Sequence, residues 1–195
     1  APSAAAMYTP DHSTWVEETV LSRGLCGARR PGHFRGVATV VVKLFMLTQP
    51  HVAVFGEKDA QQLRVIRRVV RDLNLPVEII PGPTVREPDG LAMSSRNAYL
   101  SGEERRQAVA LRRALDEAER RFAAGQRDVT ALRTAIAETI RKLAPAATVD
   151  YIEIVDNDTL EPLTQVDRAA LVAIAVRFPS ARLIDNTVLR PEPVC

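Results

Sequence analysis

Apolar residues recur along this chain at helical spacing, then in short runs, then at helical spacing again. Across residues 34–48, Val37, Val40, Val41, Leu44 and Leu47 fall on one helix face, and Gln49-Pro50 stops the helix. Residues 52–55 form a continuous apolar run closed by Gly56, the pattern of a buried parallel strand that feeds a loop. The next segment reads as a helix. Asp59 is placed to cap it and Gln62 follows as in a capping box. Leu63, Ile66, Val70 and Leu73 share one face until Asn74 and Pro76 end the helix. Residues 77–80 supply a second strand, so 52–80 predict one strand-helix-strand crossover of a doubly wound sheet. Two strands do not make such a sheet, and further strands are expected from before residue 1 or from another chain.

Past the Asp89-Gly90 turn the pattern changes. Ser101 and Glu104 predict a capping box on a helix that carries Leu111, Leu115, Ala118 and Phe122 and stops at Gly125. Asp128 caps a second helix, with Leu132, Ile136, Ile140 and Leu143 in one stripe and Pro145 at its end. Three β-type runs follow, at 149–155, 169–176 and 181–189. The expected fold class is α/β: part of a Rossmann-like nucleotide-binding domain over residues 1–90, then a small α+β domain over 91–195. The join is expected within 81–100.

Composition narrows the function classes. The 195 residues are 46% hydrophobic, enough for one substantial core or two small ones sharing an interface. Lys and Arg number 26 against 24 Asp and Glu, and the net +2, even with a pI of 8.8, gives no basic excess that would make nucleic acid the default partner. The arginine pairs 105/106, 112/113 and 120/121 interleave with Glu103, Glu104, Asp116, Glu117 and Glu119, which predicts a solvated, ion-paired helix face. Cys26 and Cys195 form neither a disulfide framework nor a zinc motif, which fits a reducing cytoplasm. The longest apolar run, around 37–47, is broken by Lys43 and too short for a bilayer, and no leader precedes it, so no membrane role is expected. The start at Ala1-Pro2-Ser3 without Met is consistent with Met removal or with a fragment.

Two segments carry candidate chemistry. Gly56-Glu57-Lys58-Asp59 lies where a parallel strand gives way to a helix N-terminus, a place where phosphates and ribose dock. Lys58 offers a point charge, Asp59 can accept from ribose hydroxyls, and Gln62 stands one turn into the helix. Equally, Asp59 and Gln62 can be simple caps and Lys58 a surface charge. The second segment, Met93-Ser94-Ser95-Arg96 with Asn97, groups hydroxyls, a guanidinium and an amide beside a turn, a set able to wrap a polyphosphate. Read alone, it serves as well as an ordinary polar connection. His33 reads as a helix-start or packing residue.

Four stretches in register sharpen this reading: Arg30-Pro31-Gly32-His33-Phe34-Arg35-Gly36-Val37, Phe55-Gly56-Glu57-Lys58-Asp59-Ala60-Gln61-Gln62-Leu63, residues 83–97 and Arg182-Leu183-Ile184-Asp185-Asn186. In order and spacing, from Ala1 to about Arg190, the chain resembles the pantothenate synthetases, ligases of the nucleotidyltransferase superfamily. The resemblance implies a cytoplasmic homodimer that joins pantoate to β-alanine with ATP and Mg²⁺ through pantoyl adenylate, releasing AMP and pyrophosphate. It implies ATP contacts from Gly56, Glu57, Lys58, Asp59, Val85, Met93, Ser94, Ser95 and Arg96, with Asp59 near the ribose and Val85 near the adenine. Lys58, Ser94, Ser95 and Arg96 would act on the phosphates, 93–96 being a mobile loop. Pantoate would lie against Gln62, Val40 and Val41.

The family's His-x-Gly-His signature is missing, since His12, His33 and His51 do not form it. By the resemblance, that signature, the β-alanine contacts and the acidic metal-site residues would precede Ala1. The chain is accordingly expected to match the carboxyl-terminal two-thirds of such an enzyme and to lack activity alone, and no residue here is assigned to a metal. Another adenylate-forming ligase or nucleotidyltransferase of the superfamily, or a non-catalytic dimerising fragment, are the other readings.

Overall fold

A computed structural model describes residues 3–192. Its elements are α1 (Ala4–Met7), α2 (Leu25–Arg29), α3 (His33–Thr48), β1 (Val52–Gly56), α4 (Ala60–Asp72), β2 (Glu78–Gly82), α5 (Gly102–Ala108), α6 (Ala110–Ala123), α7 (Val129–Leu143), β3 (Thr148–Asp156), β4 (Ala170–Arg177) and β5 (Arg182–Leu189). Short 3-10 turns cover Glu57–Asp59 and Ser95–Tyr99. Cys195 lies outside the described residues.

β1 and β2 pair in parallel, from Val52 with Glu78 to Gly56 with Gly82, as the crossover pattern predicts. One face of this pair is covered. Ala53, Phe55 and Ile79 pack with Val41 and Phe45 of α3 and Ile66 of α4. The other face corrects the expectation of a buried strand, for Val54 is 66% exposed and Val52 and Ile80 are exposed with it. The side-chain alternation of a strand puts these residues opposite the helices, where no element of the described chain lies. Leu44 and Leu47 of α3, expected on the packed face, are also exposed. The helix instead buries Phe34, Ala38, Thr39, Val41 and Phe45, because its contacts run toward α4 and the second sheet.

The second sheet is antiparallel in the order β3-β4-β5 and forms the centre of the molecule. β4 is buried at every position except Arg177. Its Val172, Ile174 and Val176 join Leu111 and Leu115 of α6 and Leu132, Ile136 and Ile140 of α7. On the opposite face Leu171, Ala173 and Ala175 join Leu25, Phe34, Val65 and Val69, so the helices of the parallel pair also cover this sheet.

Beyond residue 100 the helix caps and stops hold, although Leu143 of α7, like Leu73 at the end of α4, is exposed where a packed face was expected. Ser101 and Glu104 form both arms of the capping box, and Asp128 accepts from the Ala131 N–H at 2.7 Å. Gly125, with φ of 94°, takes the left-handed conformation past the end of α6 that favours glycine. The single helix expected before Gly125 is divided at Val109 into α5 and α6. The arginine pairs are largely ion-paired, Arg105 with Asp89, Arg112 with Asp116 and Glu119, Arg120 and Arg121 with Glu117. Glu104 departs from that pattern: it is buried and bonds Ser101 and Ser180 instead. Among the described residues no helix is long and apolar enough to cross a membrane.

Candidate active site

A cleft opens where the loop end of β1 meets β5 and the start of α3, enclosing about 170 Å³. Lys58, Asp59 and Gln62 form one wall, Arg96 another, Arg30 and His33 a third, with Cys26, Tyr151 and Arg182 beneath.

The first wall corrects the capping expectation. A 3-10 turn comes between β1 and α4, and Asp59 has φ −95° and ψ 60° with no capping hydrogen bond. A capping side chain needs extended backbone at its own residue, which that turn removes. Asp59 and Gln62 are thereby left free to face the cleft. The neighbouring Gln61, to which the sequence reading gave no role, is buried and donates through Nε2 to the carbonyls of Leu21 and Gly24, both at 2.8 Å. That fixes the approach to α2 and so places Cys26. The Oε1 of Gln61 is buried without a protein partner. Gly27 of α2 sits where a Cβ would lie 1.6 Å from the Ser22 carbonyl oxygen, so this close approach admits glycine alone.

The second wall begins as a narrow hairpin. Arg86 bridges Ala92, the Met93 N–H donates to the Val85 carbonyl at 2.9 Å, and Gly90, with φ of 93°, makes the turn. Asn97 folds the following 3-10 turn back by donating to the Ala92 carbonyl at 3.1 Å, and Ser94 Oγ accepts from the Arg96 N–H at 3.3 Å. Arg96 is thereby turned into the cleft, and a smaller hollow joins Lys58, Ser94, Arg96 and Arg182. The two segments singled out in the sequence do meet.

Other expected residues lie apart from this centre. Gly56 is exposed at the strand end, Ser95 is exposed, and Val85 and Met93 are 64% and 50% exposed outside the cleft lining. Glu57 lines a neighbouring polar cavity with Arg64, Arg67 and Arg190. Val40 and Val41 are not among the lining residues, and Val41 is buried against Phe45 and Ile66.

The charges are unevenly compensated. Arg182 donates to Asp150 at 2.8 Å; burial works against its charge, but the bonds to Asp150 and Cys26 outweigh it and raise its pKa. Burial, with the Cys26 thiol 3.2 Å away, pushes the Tyr151 phenol far up. Partial burial and then the neighbouring Arg30 pull His33 below the ordinary imidazole value, and its Nε2 lies 2.9 Å from the Arg30 guanidinium. The sequence reading of His33 as a helix-start residue is right in position, since it opens α3, but the side chain also lines the cleft. Lys58 and Arg96 form no ion pair among the described residues. Two cations that form no ion pair at the mouth of a cleft can receive an anion. Among the described residues no group of three or more His, Cys, Asp or Glu side chains converges to hold a metal ion.

Arg30, Gln61, Tyr151, Arg182 and Asn186 line the cleft without having been assigned a role from sequence. The available signal lay in β5, where Arg182, Asp185, Asn186 and Thr187 interrupt an otherwise apolar strand of the central sheet.

The family model described as pantoate-beta-alanine ligase matches residues 1–188. A pantothenate synthetase of Thermotoga neapolitana is 57% identical over 188 residues, covering 96% of this chain and 67% of that protein. The crystal structure of pantothenate synthetase from Thermus thermophilus superposes with a TM-score of 0.92 at 49% identity, over 97% of this chain and 68% of that one. A pantoate-beta-alanine ligase from Francisella tularensis, crystallised in complex with beta-gamma ATP and beta-alanine, matches with a TM-score of 0.72 at 30% identity, over 94% of this chain and 61% of that one. This chain thus spans about two thirds of the length of its relatives, and its mixed α/β fold is theirs.

Proposed function

The chain belongs to the pantoate-beta-alanine ligase family, and we propose that its full-length gene product uses ATP to join pantoate to β-alanine by way of pantoyl adenylate. The observation that carries this reading is the convergence of Lys58 and Arg96, from two distant segments, on one cleft without carboxylate partners. The Francisella relative's complex with a form of ATP and with β-alanine supports the choice of ligands.

In the first step a pantoate carboxylate oxygen bonds to the α-phosphorus as the bond from that phosphorus to the bridging oxygen breaks, and pyrophosphate leaves with the electron pair. Charge builds on the phosphoryl oxygens, and Lys58 and Arg96, with the Ser94 hydroxyl, offset it electrostatically. No protein nucleophile is required. In the second step the β-alanine amine attacks the acyl carbon, the bond from that carbon to the AMP oxygen breaks, and the nitrogen loses its proton. The adenylate must be kept from water between the steps, which suits closure of the 93–96 segment.

The enclosed volume is smaller than the roughly 300–1,000 Å³ of sites that surround a whole small-molecule ligand. It suits the reacting carboxylate and α-phosphate, with Gln62 on the pantoate, Asp59 on the ribose and the adenine running outward past Gly56 toward Val85. Among the described residues no three or more acidic, imidazole or thiol side chains converge, so a Mg²⁺ would be carried chiefly by the ATP phosphates. A cytoplasmic location and a homodimer accompany the proposal, and sedimentation tests the latter.

The test is to supply the full-length product with ATP, pantoate and β-alanine and to vary the acid and the amine. Equal amounts of AMP, pyrophosphate and pantothenate are expected. ADP formation, or turnover only with a different acid, would contradict the reading.

A further inference from the structure

β5 carries two polar residues side by side, Asp185 and Asn186, in a strand whose neighbours are Leu183, Ile184, Thr187 and Val188. Successive side chains on a strand point to opposite faces, so this dipeptide reaches two places at once. Asp185 is 2% exposed and accepts a bidentate pair from Arg86, at 2.7 and 3.0 Å. Arg86 also donates to the Gly90 carbonyl at 3.0 Å, so its guanidinium braces the hairpin that leads to Ser94 and Arg96. Asn186 points the other way. Its Nδ2 donates to the carbonyls of Glu57 and Lys58, at 3.1 and 2.9 Å.

We propose that Asp185 and Asn186 are positioning residues that set the spacing between the Lys58 turn and the Arg96 segment, holding both cations on one bound polyphosphate. This rests on the ATP reading above. Neither residue needs to touch the nucleotide, because Asn186 spends its amide hydrogens on backbone carbonyls and Asp185 acts through Arg86. A short irregular turn such as 57–59 has few bonds of its own to fix it, so two bonds from a strand of the central sheet determine where its side chains point. The antiparallel sheet is the element to which both walls are tied.

The variant that isolates the effect is Asn186→Ala in the full-length protein, with Asn186→Asp as an isosteric partner that cannot donate. Asp128→Ala serves as a control, since it removes the cap of α7, remote from the cleft, for a comparable loss of folding stability. ATP binding by calorimetry and KM for ATP are the readouts. Both Asn186 variants should weaken ATP about 5- to 10-fold, the scale of one or two lost hydrogen bonds. Asp128→Ala should leave ATP affinity unchanged at a similar drop in melting temperature. Wild-type affinity in Asn186→Ala or in Asn186→Asp, or equal weakening in Asp128→Ala, would overturn the proposal. A wild-type protein that binds no ATP would instead remove the functional reading, and this inference with it.

Discussion

β1 and β4 are both short runs of small apolar residues, yet they live in different surroundings. β4 is buried along its length between two layers of helices, whereas β1 alternates exposed and half-buried positions with helices on one face only. The difference separates stability from chemistry. The antiparallel sheet holds the largest apolar cluster, and the thin parallel pair ends in the turn that carries Lys58 and Asp59. The link between them is β5, which belongs to the first by packing and serves the second by hydrogen bonding.

Substitution at the centre of the thick sheet should have the largest effect. Ile174→Ala empties a fully buried site and should destabilise the full-length protein by about 2–5 kcal/mol in urea denaturation. A loss under about 1 kcal/mol would mean that β4 is not the centre of the core. At the thin sheet the corresponding change is in rate. Lys58→Ala should slow pyrophosphate release in a single turnover by roughly two to three orders of magnitude while leaving the melting temperature near that of wild type, since the lysine makes no ion pair.

Smaller effects sharpen the same contrast. Hydrogen bonds from the Ser101 backbone N–H and the Ser180 hydroxyl hold the Glu104 pKa at about 2, below the ordinary 4.5. A carboxylate depressed in the folded state stabilises it fully above the unfolded value and loses that contribution as the pH falls through the folded one. Stability should therefore fall between about pH 4.5 and 2, and Glu104→Gln should flatten that part of the profile. The smallest effect belongs to the uncovered face of β1. Val54→Ala should change the stability of the 195-residue chain by no more than about 0.5 kcal/mol. A much larger cost would show that this face is covered in solution.

The same contrast explains what the sequence made legible. Helices with strong caps and a clear apolar stripe, such as α7 behind Asp128, could be read directly because local signal and tertiary burial agree at Leu132, Ile136 and Ile140, and only Leu143 at the helix end is exposed. So could the crossover, since strand, helix and strand follow closely. The buried faces of α3 and β1 could not, because periodicity reveals which residues are apolar and not which neighbours exist to cover them. Asp59 misled for a related reason. A capping residue was expected from its place before a helix, but the 3-10 turn gives it different backbone angles and releases its side chain to the cleft. The two candidate segments were visible as compositions, and the crossover between them allowed both to reach one sheet edge, but the bonds that tie them there, from Arg86, Asp185 and Asn186 far apart in the chain, were not visible. Arg182 and Tyr151 reach the cleft from the second sheet, which the local pattern gives no reason to place there.

The central claim is that this cleft activates a carboxylate by adenylation, and isotope exchange tests it most directly. With the full-length protein, labelled pyrophosphate should enter ATP when pantoate is present and β-alanine absent, and Lys58→Ala should suppress that exchange. Exchange that ignores pantoate, or pantothenate synthesis with no exchange at all, would contradict the account.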